Sequence, residues 1–445
     1  MTDALLERER VLSTFLERER TGVARACHDM ARAFNRGAVL YPCGRGSAAT
    51  DAAHVAVEFM HPVIVGKRAL PAVAPSNDPT GESNLDRLAR PDDIALVLSH
   101  GSGDDVTDLV ARARERGMLT IAMTAEQPVS ADHAFAVPSR DPAIVQEVQE
   151  TTYHVLWELV HVFFEHPGLL EESCITCGDV AVEASVVGVS GDAAVIEKDG
   201  AREEVAVELI EDVAVGDRLL CHAGVALERL GPAAEVPGAP PDDPSGFLYP
   251  FLDAEESDLD AVLGDVERST LAKGSDVIAL RRAIDIEAID RCADAIRERL
   301  AAGGRLIAFG NGGSSTDAQD LAADALARGW PALALNNDVA TVTAVGNDVG
   351  FDNVFSRQLI PLAAAGDVAV AISTSGSSPN VLAGLEQARR RGMLTCAITG
   401  YDGGRLAELD WLDHLFVARS DYIPRLQEAH ATIYHLLLDA IGDRT

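Results

Sequence analysis

Two loops in the second half of the sequence have the make-up of an anion cradle. Gly310-Asn311-Gly312-Gly313-Ser314 follows the apolar run RLIAF, and Ser373-Thr374-Ser375-Gly376-Ser377-Ser378 follows VAVAI. Glycines let main-chain amides approach a ligand, a helix N-terminus favours negative charge, and consecutive hydroxyls can donate to phosphate oxygens. Ser, Thr and Gly also make ordinary turns and helix caps. Two such loops after neighbouring strands favour the cradle, because ligands of open α/β sheets sit at the carboxyl ends of the strands. A second reactive pair is Cys174-x-x-Cys177, half of a structural zinc site for which only Cys221-His222 stands nearby; two buried thiols are the plain alternative. His161, alone in the apolar stretch VLWELVHVFF, reads as a packed or capping histidine.

Loops of this kind need strands and helices to hold them, and the chain supplies these twice. RGMLTIAMT at 116–124 is nearly rewritten as RGMLTCAIT at 391–399, CGRGSAATDAAH at 43–54 as FGNGGSSTDAQD at 309–320, and VQEVQETTYH at 145–154 as LQEAHATIYH at 426–435. Three blocks in the same order mark two copies of one domain, residues 1–170 and 251–445. In each, short continuous apolar runs alternate with helical patterns: AVLYPCG, PAVAPS, IALVLSHG, LTIAMT and HAFAVP, then RLIAFG, PALALN, VAVAISTSG, LTCAIT and HLFVA. That pattern predicts an α/β fold, a doubly wound parallel sheet covered on both faces. Between the copies, residues 171–230 alternate with period two, which predicts a small all-β barrel or sandwich, and Pro/Gly-rich residues 231–250 predict an extended linker.

The 445 residues are too many for one core. A net charge of −33 opposes binding to nucleic acid, and no apolar run reaches the ~20 residues of a membrane span. The charged start, without an apolar segment, is not a signal peptide, and seven scattered cysteines fit reduced thiols; both predict a cytoplasmic protein.

The motifs GNGGS, VGNDVGFDNVFSRQL at 345–359, STSGSSPNV at 373–381 and RLQEAHATIYH at 425–435 resemble the phosphoheptose (sedoheptulose 7-phosphate) isomerases, a family of SIS-type domains. The resemblance spans nearly all of 251–445. It implies substrate contacts from Asn311, Gly312, Gly313, Asn347 and Asp348, a phosphate cradle of Ser373, Thr374, Ser375 and Ser378, a sugar or metal contact from Gln427, and a metal-binding, proton-carrying His435. The reaction implied moves a proton between the two carbons of an aldose–ketose pair through an enediol, which needs a base, an acid and an electrophile such as Zn²⁺. The family has His and Glu four residues apart after the glycine loop, whereas this copy has Asp320 and Asp324. Aspartate is one methylene shorter, and misplacing a base by about an ångström costs ~10²-fold.

The first copy keeps that pair as His54 and Glu58, with Gln146 and His154 spaced eight apart like Gln427 and His435. By the resemblance, the metal set is complete at His54, Glu58, Gln146 and His154, with Asp320, Asp324, Gln427 and His435 as a weaker second set. Glu58, His154, Asp324 and His435 are the implied catalytic groups. The first copy's phosphate loop is the eroded part: Ser99-His100-Gly101-Ser102-Gly103-Asp104-Asp105 brings in two carboxylates, and Arg45 replaces the loop Asn. Because the family builds its sites at subunit contacts, the tandem chain is expected to form an internal pseudo-dimer or a homo-oligomer with composite sites.

Residues 174–230 resemble the HypC/HupF hydrogenase-maturation family through Cys174, the alternating strands and VGDRLLCHAGVALERL. The family's thiol follows the initiator Met, while Cys174 and Cys177 are internal. Two functions remain open at this stage. One is an isomerase of a phosphorylated sugar. The other is a non-catalytic phosphosugar-sensing scaffold that docks a hydrogenase-maturation partner.

Overall fold

The computed structural model describes residues 2–62, 67–75, 84–170 and 259–444 and, within 182–230, all but 192, 199, 200, 209, 211, 212, 223 and 224. Cys174, Cys177 and the Pro/Gly stretch 231–250 therefore lie outside the described residues. The first half runs α1 (Thr2–Asn35), β1 (Leu40–Gly44), α2 (Ala48–Met60), α3 (Leu85–Leu88), β2 (Ile94–Leu98), α4 (Thr107–Glu115), β3 (Leu119–Ala125), β4 (His133–Val137) and α5 (Pro142–Phe164), with a parallel sheet in the order β1-β2-β3-β4. Strands β5 (Val182–Ser190), β6 (Ala193–Lys198), β7 (Ala201–Ala206), β8 (Arg218–His222) and β9 (Val225–Leu230) then close a barrel in the order β5-β6-β7-β9-β8. Cys221 is buried in that barrel's core with Val186, Ile196 and Leu219.

The second half runs α6 (Leu259–Arg282), α7 (Ile286–Ala301), β10 (Leu306–Gly310), α8 (Gly313–Ala327), β11 (Ala332–Ala334), α9 (Val339–Asp348), α10 (Val354–Leu362), β12 (Val368–Ser373), α11 (Pro379–Arg390), β13 (Leu394–Thr399), β14 (His414–Val417) and α12 (Ile423–Ile441). Its sheet is parallel in the order β11-β10-β12-β13-β14. The strand order reverses between β10 and β12, so the two glycine- and serine-rich loops flank the switch point, where α/β sheets bind ligands. Every residue of β2 and β12 is buried, which is why their sequences are continuous rather than alternating. The repeat extends to single hydrogen bonds: Asp132 accepts from the amide and hydroxyl of Thr120 as Asp413 does from Thr395. PAVAPS departs from its twin, since Ala72 makes only an isolated bridge to Leu40 where PALALN forms β11.

The halves are interlocked rather than strung out. Val262, Val266 and Val277 of α6 belong to the first half's core, and Leu5 of α1 belongs to the second's. Each such burial contributes about 1.5–3 kcal/mol. The crossing of α1 and α6 is so close that a Cβ on Gly274 would stand 2.3 Å from Leu16 Cδ1. Helix α2 packs on α8, and α5 on α12, so that each of these helices meets its repeat counterpart in the other half. Among the described residues no helix is long and apolar enough to cross a membrane.

Candidate functional site

His54 and Glu58, one helical turn apart on α2, share the face that packs on α5 and α8, and both are buried. His54 Nε2 lies 3.6 Å from Glu58 Oε1 and 3.1 Å from Gln427 Nε2, and Gln427 Nε2 donates to Glu58 Oε1 at 3.3 Å. The other ring nitrogen of His54 meets the Tyr153 hydroxyl at 3.1 Å. His154, the next residue on α5, stacks edge-on with its ring centroid 5.3 Å from that of His54. Its Nδ1 is held by Glu428 Oε1 of α12 at 2.9 Å. The start of α8 closes the group, because a Cβ on Gly313 would stand 1.9 Å from Gln427 Nε2 and 2.7 Å from His54 Nε2. The first half thus supplies two histidines and a carboxylate, and the second supplies a glutamine, a supporting glutamate and the glycine loop.

Electrostatics give these groups different protonation states. Burial alone would raise the pKa of Glu58, but the hydrogen bond and charge of His54 outweigh it and hold the carboxylate below its ordinary value. Burial pulls His54 down, and its bond to Glu58 with the charge of Asp317 reverses this and raises it. His154 is pushed down to about 3, chiefly by burial and then by the neighbouring His54, so it is neutral at physiological pH. In the tautomer whose Nδ1–H donates to Glu428, Nε2 presents a lone pair. That Nε2, Glu58 Oε2, Gln427 Oε1 and Glu150 Oε1 are all buried without a hydrogen-bond partner. Orphaned buried polar atoms cost about 1–3 kcal/mol each. An imidazole lone pair, an amide oxygen and carboxylate oxygens are together the donor set of a zinc-class divalent ion, so the residues fit such a group.

The pseudo-symmetric counterpart is built alike and behaves in the opposite way. His435 Nδ1 lies 2.9 Å from Glu147 Oε1, and its Nε2 lies 3.2 Å from Gln146 Oε1 and 3.5 Å from Asp324 Oδ2. Burial depresses His435, but its hydrogen bonds to Asp324 and Glu147 prevail and lift it to about 9. It is an imidazolium with both N–H groups committed, and it offers no lone pair. Asp320 accepts from the Thr50 hydroxyl, and burial followed by the nearby Asp51 carboxylate pushes its pKa well up. In the eroded loop, Ser99 donates to Asp105 at 2.7 Å and Ser102 to Asp104 at 2.9 Å, and His100 sits between Ser47 at 2.9 Å and Asp51 at 2.8 Å. Arg45 makes two 2.8 Å bonds to Asp108. This loop's polar groups satisfy one another.

The placement of the expected residues corrects the grouping drawn from the sequence. Gln146 does not join His54 and Glu58; it lies against His435, and Gln427 takes its place. The two sets are exchanged because α5 and α12 pack face to face, so each terminal glutamine reaches across to the other copy. In the serine-rich loop after β12, Ser373 Oγ and Ser378 Oγ are 3.4 Å apart, and Ser378 occupies the N-cap position of α11 without spending its side chain on a cap bond. Ser375 Oγ accepts from the Ser377 amide, while Thr374 is half-buried beside it. Asn311 forms a reciprocal amide pair with Asn380, 2.9 Å each way, which ties the glycine loop to α11. Asn347 and Asp348 are exposed at the end of α9 and bonded to each other. His161 bonds the carbonyls of Trp157 and Arg68, as a packed histidine does. Glu150, Tyr153 and the Glu147/Glu428 pair were not singled out in the sequence; the repeated Gln-Glu dipeptide was the available signal for the last two.

Comparisons with known proteins agree with this architecture. The model of the SIS domain family matches residues 6–125 and 274–400, and that of the HupF/HypC family matches 180–235. Phosphoheptose isomerase of Citrifermentans bemidjiense is 44% identical over 160 residues, 35% of this chain and 82% of the relative. That of Paramagnetospirillum magneticum is 41% identical over 177 residues, 38% of this chain and 91% of the relative. A solved structure, the C-terminal domain of glucosamine-fructose-6-phosphate aminotransferase from Francisella tularensis, covers 99% of this chain and 96% of its own at 8% identity and a TM-score of 0.55, a likeness of fold alone. The chain belongs to the SIS domain family. Within it, this is a tandem member, homologous to phosphoheptose isomerases and carrying a HupF/HypC family segment between its halves.

Proposed function

We propose that the chain is an aldose–ketose isomerase of the phosphoheptose isomerase type, acting on sedoheptulose 7-phosphate or a similar sugar phosphate at one composite site. The observation that carries this reading is Gln427 of the second half standing 3.1 Å from His54 and 3.3 Å from Glu58 of the first. Neither half alone has both an intact cradle and an intact acid–base set, and the packing of α2 on α8 joins the two intact parts. Glu58, ionised and with one buried oxygen unpartnered, is the base that removes the proton α to the carbonyl and returns it to the adjacent carbon. Glu428 holds the His154 ring through Nδ1, and Nε2 is left without a hydrogen-bond partner. The hydroxyls of Ser373, Thr374, Ser375 and Ser378, with the amides at the start of α11, hold the phosphate, and Gly312 and Gly313 let the sugar approach. His54, His154, Gln427 and a carboxylate are the residues that would hold a zinc-class ion, which would supply Lewis-acid polarisation of the carbonyl.

The test is conversion of sedoheptulose 7-phosphate by the full chain with and without Zn²⁺. Metal-dependent turnover is expected; tight binding of the sugar phosphate with no turnover under any added divalent ion contradicts the reading. Ser378→Ala should weaken sugar-phosphate binding about tenfold, the worth of one hydrogen bond to a charged group, and leave the affinity for the non-phosphorylated sugar unchanged. Gly313→Ala should lower turnover by about 10²-fold, because its Cβ would displace the Gln427 amide and crowd the His54 ring. The HupF/HypC match at 180–235 favours a second reading, an accessory role in [NiFe]-hydrogenase maturation, and binding without turnover would leave that reading standing.

A further inference from the structure

Glu150 is the residue of the inner cluster that the isomerase reading does not use. It lies on α5 one turn before His154, is 2% exposed, and has one carboxylate oxygen without a hydrogen-bond partner. His54, Glu150 and His154 each offer a ligand atom, and these three atoms lie within 4.8 Å of one another, all on buried side chains. His154 Nε2 is the other unpartnered atom of the trio. Glu58 is not part of this convergence. It sits toward Gln427, at 3.3 Å, and keeps a free oxygen there. The repeat shows that Glu150 is particular to one site, because the aligned position in the second half is Ala431.

We infer that Glu150 is the carboxylate ligand of the divalent ion, completing a His54–His154–Glu150 set, and that Glu58 is left outside it as the proton-transferring base. Two imidazoles and one carboxylate form a common set of three protein ligands for a catalytic divalent ion, with further positions open to water or substrate oxygens. Ligands at roughly 2.0–2.2 Å from one ion stand about 3.4 Å apart in a tetrahedron, within reach of a trio already inside 4.8 Å by side-chain adjustment alone. The arrangement also relieves Glu150 of its surroundings. It lies within the field of Asp51, Asp317 and Asp320, where an unpaired carboxylate is costly and a dication is not. Separating the two carboxylates by role matters for the chemistry, since a base bound to the ion loses proton affinity and one beside it keeps it.

This inference rests on the isomerase reading for the role of Glu58, and its test reads the ion directly. The full chain is titrated with Zn²⁺ against a chromophoric chelator, and Co²⁺ is added to record the ligand-field absorption of the site. Glu150→Gln, which keeps the side chain's volume, and Glu150→Ala should each weaken Zn²⁺ binding by more than the about 10–100-fold typical of an outer-shell partner and change the Co²⁺ spectrum. Glu58→Gln should bind Zn²⁺ within about threefold of the parent with the same Co²⁺ spectrum, while turnover is lost. Circular dichroism of each variant checks that the fold is retained, and Glu150→Asp should recover part of the affinity. Loss of the ion in Glu58→Gln together with its retention in the Glu150 variants overturns the assignment and leaves the isomerase reading intact. A parent chain that binds neither ion nor sugar phosphate overturns both.

Discussion

Replacing His154 by alanine is expected to leave the chain without a bound divalent ion and without isomerase turnover, whereas His435→Ala keeps the ion. The parent should load one ion per chain, not two. The asymmetry follows from proton occupancy. The two histidines are at equivalent positions, and each has Nδ1 at 2.9 Å from a glutamate of the other half. At His435, however, Asp324 adds a second carboxylate at Nε2 and the ring is lifted to about 9, while at His154 burial leaves the ring neutral with Nε2 exposed to the cluster. An ion entering at His435 has to displace a proton held by two buried carboxylates, whereas His154 Nε2 has no hydrogen-bond partner to displace. Metal analysis of the loaded protein after desalting gives the count, and turnover in the His154 variant should fall by at least the 10²–10⁴-fold assigned to a general acid or base. Two ions per chain, or an ion that survives in His154→Ala and vanishes in His435→Ala, would contradict the assignment.

Glu147→Ala should be the most destabilising single change near the interface between the halves, by about 3–5 kcal/mol. Glu147 is fully buried and meets Arg8 at 2.9 Å, Arg281 at 3.0 Å and His435 at 2.9 Å, three cationic groups that are themselves 0–1% exposed. Burial opposes its ionisation, but Arg8 and Arg281 prevail and hold the carboxylate far below its usual range. Removing it strands those charges in the interior. Urea unfolding of the parent and variant measures the difference, and a change below about 1 kcal/mol would show that the cations find other partners. The same cluster predicts a pH dependence with a defined sign. The pKa of His435 is higher in the folded chain, about 9, than its ordinary 6.5, so its contribution is fully present below about 6.5 and is lost as pH rises through 9. Its size is at most about 3 kcal/mol. The alkaline loss of stability should be shallower in His435→Gln than in the parent, and equal slopes would remove His435 as its source.

Much of this molecule could be read from the chain itself, for identifiable reasons. The apolar runs at 94–98 and 368–373 are continuous because both faces of each sheet are covered, and that continuity is visible without coordinates. The glycine- and serine-rich loops were legible as strand ends because such residues after an apolar run mark the turn into a helix, and the doubled blocks disclosed two copies. His54 and Glu58 were legible as a pair because the helical period places them on one face. PAVAPS reads like PALALN, yet it makes a single bridge, so local pattern did not settle the edge of the first sheet.

The sequence by itself thus determined the kinds of groups present and which of them share an element, since helix and strand periods are properties of one local stretch. Only the tertiary structure decided which groups meet. Gln146 and Gln427 occupy identical positions in the repeat, and nothing local distinguishes a glutamine that serves its own copy from one that crosses to the other. The packing of α5 on α12 sends both across, so each glutamine meets a histidine of the opposite copy. Protonation was likewise beyond the sequence, because His154 and His435 are the same residue in the same motif. Burial and the neighbouring His54 keep one neutral, and enclosure between two carboxylates makes the other a cation.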